Sequence, residues 1–307
     1  MTWQVARPSH FRDRVREDLR VKPSPFAYSA PTSLADALAV LDRVSDDGKV
    51  LAGGQSLVPI LNMRLAAPAH IVDINRIPDL AYVRVEDGGV RVGALARHAD
   101  VERDDAAFAA LPLLRQALRL VAHPVIRNRG TTVGSLAHAD PSGEMTAVLA
   151  LTGGSVELAR QGSTRTVAAD EFFLAPLESA VQSGEMAVSA HFPVPPPRTG
   201  SAFVEVARRH GDYAVCGLAA LVTLREDGTI GQARTAYISV GPTPVVLDLT
   251  EAVHRRAPAE ADWGAAGELA KGQVDPEPDI HATADYRRHL VGVLTARALR
   301  EAAGRAA

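Results

Sequence analysis

Two stretches decide how this chain reads: Ala52-Gly53-Gly54-Gln55-Ser56 and Thr131-Thr132-Val133-Gly134-Ser135. Each follows an apolar run and leads into a segment with helical spacing. Glycine has no Cβ, so its backbone can take φ > 0 and approach a ligand closely. Successive exposed N–H groups in such a turn form a concave anion site, and the start of a following helix adds its positive end. Two such loops about eighty residues apart suggest one elongated anion, such as a dinucleotide pyrophosphate. Gln55 and Ser56 bring side-chain donors to the first loop, and Leu57 opens the segment behind it. Neither loop fits G-x-G-x-x-G or G-x-x-x-x-G-K-[ST], so Rossmann and P-loop readings lose their main support. As a bare dipeptide, Gly53-Gly54 also suits an ordinary strand-to-helix turn.

Around the second loop lie several groups able to do chemistry. Arg127 and Arg129 precede it and suit either an anion or a partner carboxylate, with a structural pair as the plain alternative. His138, Asp140 and Glu144 follow closely and raise a metal or acid–base reading. The other histidines are scattered without ligand spacing, so carboxylate hydrogen bonds to ribose or ribityl hydroxyls fit better. Farther on, Arg208-Arg209-His210-Gly211-Asp212-Tyr213 ends one strand and begins the next, where Tyr213 could stack on a flat ring system or simply pack over the core edge. Arg255-Arg256 and Arg287-Arg288 fall on predicted helices and read as solvated faces. No Ser–His–Asp or Cys–His arrangement stands out.

Between these landmarks the pattern predicts mixed α and β. Residues 1–22 are a charged leader ending before Pro23 and Pro25, read as disordered or packed on a partner. A helix is expected over 33–44, with Ser33 and Asp36 as a capping box and Leu34, Leu38, Leu41 and Val44 in one stripe. Lys49 to Ala52 and Ile71 to Ile74 read as strands, and Leu57 to Leu65 as a short helix. A hairpin pairs Tyr82–Val85 with Val90–Val92 through Asp87-Gly88-Gly89, and another spans 155–168 with its turn at Gln161-Gly162. Asp100 to Ala122, broken near Pro112, and Pro141 to Leu151 read as helical. Pro193-Val194-Pro195-Pro196-Pro197 reads as a linker. Beyond it come strands at Ala202–Ala207, Ala214–Leu224 and Ile230–Val240, the last two joined at Glu226-Asp227-Gly228, and then helices. On the final helix, Tyr286, Leu290, Val293 and Leu294 are expected to form the buried stripe, with arginines opposite. Consecutive strands mixed with helices indicate an α+β architecture.

Composition narrows the function classes. The 307 residues allow two domains with separate cores, and 47% hydrophobic with 22% charged residues is ordinary for a globular chain. A net charge of -3 argues against non-specific nucleic-acid binding. No apolar run approaches the ~20 residues a membrane span needs. The N-terminus is too charged for a signal-peptide core, so the expected location is the cytoplasm. Cys216 is the only cysteine, which excludes an internal disulfide and an iron–sulfur cluster held by this chain's own thiolates. Its apolar surroundings read as a buried, inert thiol.

AGGQSLVPILNMR (52–64), HIVDI (70–74), Gly93-Ala94 with HADVE (98–102), IRNRGTTVGSLAHADP (126–141) and RRHGDYA (208–214) together resemble one family. It is the FAD-binding medium subunit of molybdenum hydroxylases, typified by aerobic carbon monoxide dehydrogenase and including the xanthine dehydrogenase group. The match runs in order from about Pro23 to the C-terminus. The resemblance implies an FAD-binding PCMH-type domain over 23–197, in subdomains of about 23–80 and 81–197, and then a C-terminal domain over 198–307 with an antiparallel sheet and helices. It implies FAD between the subdomains, its pyrophosphate held by residues 52–57 and 131–135, with Asp140, Glu144 and Tyr213 also at the cofactor and no catalytic residue or metal on this chain. It further implies a small subunit with two [2Fe-2S] clusters and a large molybdopterin subunit, joined as a dimer of heterotrimers. Electrons would pass from molybdenum through the clusters to FAD and on to an external acceptor. Val133 stands where the family usually has glycine, Glu144 where it has aspartate, and the leader is longer than typical. A stand-alone flavin oxidoreductase and a scaffold subunit without FAD are the alternatives.

Overall fold

In the computed structural model of the chain, residues 22–86 and 88–306 are described. The expected leader, apart from Lys22, and Asp87 of the first hairpin turn lie outside them. The chain begins with a small parallel sheet. β1 (Ala27–Ser29), α1 (Leu34–Val44), β2 (Gly48–Leu51), α2 (Leu57–Asn62) and β3 (His70–Asp73) alternate, and the strand order is β1-β3-β2. Helix α1 starts where Ser33 Oγ accepts the Asp36 N–H at 3.1 Å, satisfying one of the orphan amides of the first turn. Leu38 and Leu41 carry its buried face, as the spacing predicts.

A five-stranded antiparallel sheet follows, in the order β4-β5-β10-β6-β7. β4 (Val83–Glu86) and β5 (Gly89–Gly93) form the expected hairpin. Five short helices then cross over: α3 (His98–Arg103), α4 (Asp105–Ala110), α5 (Pro112–Leu118), α6 (Pro124–Arg127) and α7 (Thr132–His138). The expected break near Pro112 is where α4 ends and α5 begins, with proline at a position that needs no N–H. Helix α8 (Glu144–Thr152) is apolar nearly all round and mostly sunk in the core. β6 (Ser155–Arg160) and β7 (Ser163–Ala168) turn at Gln161-Gly162. A short α9 (Ala169–Phe172) and the two-stranded β8 (Phe173–Ala175) and β9 (Glu178–Ser179) lead to β10 (Met186–Pro193). Sequence patterning misses β10, yet it is the middle strand, bonded to β5 on one side and β6 on the other.

The last third is an antiparallel meander of β11 (Thr199–Ala207), β12 (Ala214–Leu224), β13 (Ile230–Ile238) and β14 (Val245–Asp248), followed by α10 (Thr250–Val253), α11 (Trp263–Lys271) and α12 (Ala284–Gly304). This sheet is covered on both faces. Leu218, Ala220 and Val222 join the core under α11 and α12, whereas Ala219 and Leu221 join the core of the N-terminal half. Burial on both faces explains why β12 reads as one continuous apolar run rather than an alternation. Cys216 lies fully buried here, and burial pushes its thiol up to about 12.

Two expectations at this end need correcting. On α12, Tyr286 and Val293 are exposed, and the buried stripe runs through Arg287, Leu290, Val291, Leu294, Ala298 and Leu299. Arg287 is not on a solvated face: it donates to Val215 O at 2.7 Å and Ser239 O at 2.6 Å and pairs with Asp279. A long side chain whose two terminal nitrogens are both engaged can occupy a core position that an apolar count alone would not assign to it. Arg255-Arg256 fall just after α10 rather than on a helix. Among the described residues, no helix is long and apolar enough to cross a membrane.

Candidate functional site

β2 and β3 lie side by side and parallel, with Leu51 opposite Asp73. Loops that leave the carboxyl ends of such strands line a crevice. The first glycine loop leaves β2, and Asn75 sits just past β3. Gly54 takes φ +73°, a value that disfavours side chains. Gly53 is needed for a different reason: a Cβ there would lie 2.5 Å from Arg129 O and 2.8 Å from Gly130 Cα. The two loops, distant in sequence, therefore meet backbone to backbone. The N–H groups of Gly54, Gln55 and Ser56 carry no hydrogen bond to another described residue. Gln55 Nε2 donates to Gly53 O at 3.1 Å, so part of its donor capacity braces its own loop. Leu57 is half-buried at the start of α2.

The second loop is built differently. Thr131 is the N-cap of α7, and its Oγ1 accepts the Gly134 N–H at 3.2 Å. Thr132 N donates to Ala96 O at 3.3 Å and Ser135 N to Thr131 O at 3.0 Å. Gly134 lies in a regular helical turn, not a left-handed one. Val133 likewise keeps ordinary helical dihedrals, as a branched residue requires, and its side chain is 1% exposed in the core. The second stretch is thus a capped helix start in which the Val133 N–H has no acceptor outside the helix among the described residues and Ser135 is half-buried. Both following helices are short, so local N–H groups rather than a long macrodipole would serve an anion.

A polar bridge joins the loops. Asn75 Nδ2 donates to Ala52 O at 2.9 Å, Arg97 donates to Asn75 Oδ1 at 2.7 Å, and the same guanidinium donates to Arg129 O at 2.6 Å. The backbones of 96–98 and 130–132 also pair, with His98 N on Gly130 O at 2.9 Å. Behind them His98 is buried, and burial, with help from the Arg127 charge, holds its imidazole down at about 4. Arg127 does not reach outward. It pairs with Glu102 at 2.8 Å and donates to the carbonyls of Val121 and Ala122, so the structural alternative holds. Arg129 is exposed.

Asp140 and Glu144 flank the turn between α7 and α8. Asp140 Oδ1 accepts the Ser142 N–H at 2.8 Å, and its other oxygen lies 4.0 Å from His138 Nε2. Burial, reinforced by the Asp140 charge, pushes Glu144 up to about 7, so near neutrality it can donate as well as accept. Glu205 on β11, facing the same seam, is pushed up to about 8 by burial and then by Glu144. Its Oε2 is buried with no hydrogen-bond partner among the described residues, an unfilled demand of the kind a polyhydroxylated ligand would meet. Tyr213 is 68% exposed, and partial burial, followed by the Asp140 and Glu144 charges, raises its phenol. The turn before it is fixed by Gly211 against the His123 ring and by an edge-on His123–His210 contact at 5.7 Å. Ser239 Oγ donates to Ala214 O at 2.7 Å and, 2.8 Å from Ser142 Oγ, can accept from that hydroxyl, tying the Asp140 turn to the strand after Tyr213. Among the described residues no three His, Cys, Asp or Glu side chains gather as a metal set.

Sequence reasoning missed Asn75, Arg97, Gly130 and Glu205. Asn75 follows the quoted HIVDI strand, and Arg97 immediately precedes HADVE, so polar residues next to recognised segments were the available signal. Glu205 sits inside an apparently apolar strand, and its isolation there was the clue.

Comparison with known proteins agrees with this fold. The family described as "FAD binding domain in molybdopterin dehydrogenase" matches residues 24–195, and "CO dehydrogenase flavoprotein C-terminal domain" matches 201–302. Caffeine dehydrogenase subunit beta of Pseudomonas sp. (strain CBB1) is 40% identical over 287 residues, covering 93% of this chain and 97% of that one. The 6-hydroxypseudooxynicotine dehydrogenase complex subunit alpha of Paenarthrobacter nicotinovorans is 38% identical over 294 residues, covering 93% and 97%. The solved carbon monoxide dehydrogenase of Hydrogenophaga pseudoflava superposes with a TM-score of 0.86 at 35% identity, covering 93% of this chain and 99% of that one. With two matched domains in the family's order and relatives spanning nearly its whole length, the chain belongs to the FAD-binding flavoprotein subunits of the molybdenum hydroxylases, a family of oxidoreductases.

Proposed function

We propose that this chain is the electron-transfer subunit of a cytoplasmic molybdenum hydroxylase complex, receiving electrons from the [2Fe-2S] clusters of a small partner and delivering them to an external acceptor. A large molybdopterin-binding subunit would complete a heterotrimer, with two such trimers in the assembly. The boundary between the flavin-binding and C-terminal domains would fall at 197–198. Residues 52–57 and 131–135 would hold the FAD pyrophosphate, with Gly54, Gln55 and Ser56 supplying free N–H donors and Ser135 a hydroxyl. Asp140 and Glu144 would take ribityl hydroxyls, and Tyr213 would flank the flavin ring. When bound, the flavin supplies the redox chemistry, and the protein orients it and shields it from water.

One observation carries this reading: the two glycine-bearing stretches touch at Gly53 and Arg129–Thr131, so a single diphosphate could reach both. The test is reconstitution of the full chain with excess FAD, followed by visible absorption of the desalted protein. Flavin bands at one equivalent per chain are expected, and their absence would favour the scaffold alternative. Substrate should bleach those bands only when the partner subunits are present. Bleaching of the isolated chain by a small substrate would point instead to a stand-alone oxidoreductase.

A further inference from the structure

We propose that Arg97 and Asn75 act as one clamp that fixes the gap between the two loops and so sets how tightly they hold a diphosphate; the proposal rests on the flavin reading above. The connection is continuous. Ala52 O accepts from Asn75, Asn75 Oδ1 accepts from Arg97, and Arg97 reaches Arg129 O, at 2.9, 2.7 and 2.6 Å. Asn75 is itself held by Asp73 Oδ1, which accepts its backbone N–H at 2.9 Å and its amide at 2.6 Å. Each end of the clamp grips a backbone carbonyl at the edge of a loop, so displacing either planar group moves a loop rather than a side chain. Gly53 lets the loops touch, and the clamp limits how far they can part.

The charge balance fits the same role. Arg127 is neutralised by Glu102 at 2.8 Å. Among the described residues the Arg97 guanidinium makes no such carboxylate pair, and burial followed by the Arg129 charge lowers its pKa, against weaker opposing effects from Asp100 and Asp73. Two guanidinium groups thus stand together at the loop junction with their charges incompletely balanced. That excess favours a dianionic diphosphate over a neutral ligand.

The experiment measures FAD and ADP dissociation constants and melting temperature for the full chain, Arg97→Lys, Asn75→Ala and the double variant. Lysine keeps the charge but cannot span both carbonyl and amide acceptors. Each single variant should weaken FAD and ADP together by about tenfold, the worth of a charge-assisted hydrogen bond. The double variant should lose no more than the worse single one, because one clamp breaks only once. Folded variants that bind FAD within twofold of wild type would overturn the clamp, and so would losses that simply add. If Arg97→Lys fails to fold, Asn75→Ala decides by the same tenfold criterion, since it leaves the arginine in place. A wild-type chain that takes up no FAD would sink the flavin reading itself, an outcome distinct from these.

Discussion

The two glycine-bearing loops look alike in sequence and are physically unlike. The first is an open turn with Gly54 at φ +73° and three N–H groups unengaged among the described residues. The second is a helix start that has already consumed most of its donors, through the Thr131 cap and the Ala96 carbonyl. One loop can offer hydrogen bonds and the other mainly offers a rigid wall for the first to lean on. The difference teaches that a glycine in a short motif has at least two uses, freedom of φ and room for a neighbour, and that only the second connects distant segments.

The comparison is broken most severely at Gly53. Gly53→Ala places a methyl 2.5 Å from Arg129 O, where backbone must yield. Overpacking of about 1–3 kcal/mol should lower FAD affinity by roughly 5- to 150-fold, read by fluorescence titration. In the second loop the corresponding test runs the other way. Val133→Gly installs the glycine that the family resemblance leads one to expect but removes a side chain that is 1% exposed. It should cost about 2 kcal/mol in denaturant unfolding without tightening FAD, because that side chain belongs to the core. A gain in affinity would show that the valine does crowd the cofactor.

Neither loop contains a group that titrates near neutrality, and His98 behind the second stays neutral because its imidazole is held at about 4. The pH response should therefore come from the acid end of the seam. Glu144 and Glu205 have folded values of about 7 and 8 against 4.5 for the ordinary carboxyl. Between those values the folded chain holds more protons than the unfolded one, so stability falls as pH rises from about 4.5 to 8 and levels off above. The chain without FAD should melt a few degrees lower at pH 8.5 than at pH 6, and Glu205→Gln should flatten that slope. A melting curve flat across this range would mean the seam is better hydrated than its burial indicates. The smallest effect is expected for Thr131→Ala, which removes a helix cap worth about 1 kcal/mol and should weaken FAD only a few-fold.

Much of the fold could be read locally. Ser33 and Asp36 mark the start of α1, Gln161-Gly162 marks the β6–β7 turn, and Pro112 marks a helix boundary, because caps, turns and proline act over a few residues. β10 escaped because MAVSAHFP alternates weakly and runs into the proline stretch, while its place in the sheet is set by partners about thirty and one hundred residues away. Arg287 escaped because its solvation is replaced by carbonyls from β12 and the segment after β13, which no helical spacing reveals.

The sequence by itself determined the glycine positions, the α+β order of elements, the exclusion of an internal disulfide by a single cysteine, and the family, since these are properties of short segments and of their order along the chain. Only the tertiary structure decided that Gly53 rests on Arg129–Thr131, that Asn75 and Arg97 bridge the loops, and that Glu205 meets Glu144 across the seam. Contacts between segments far apart in the chain depend on how closely two backbones approach and on whether water is excluded between them. Neither quantity exists until the sheets and helices have packed.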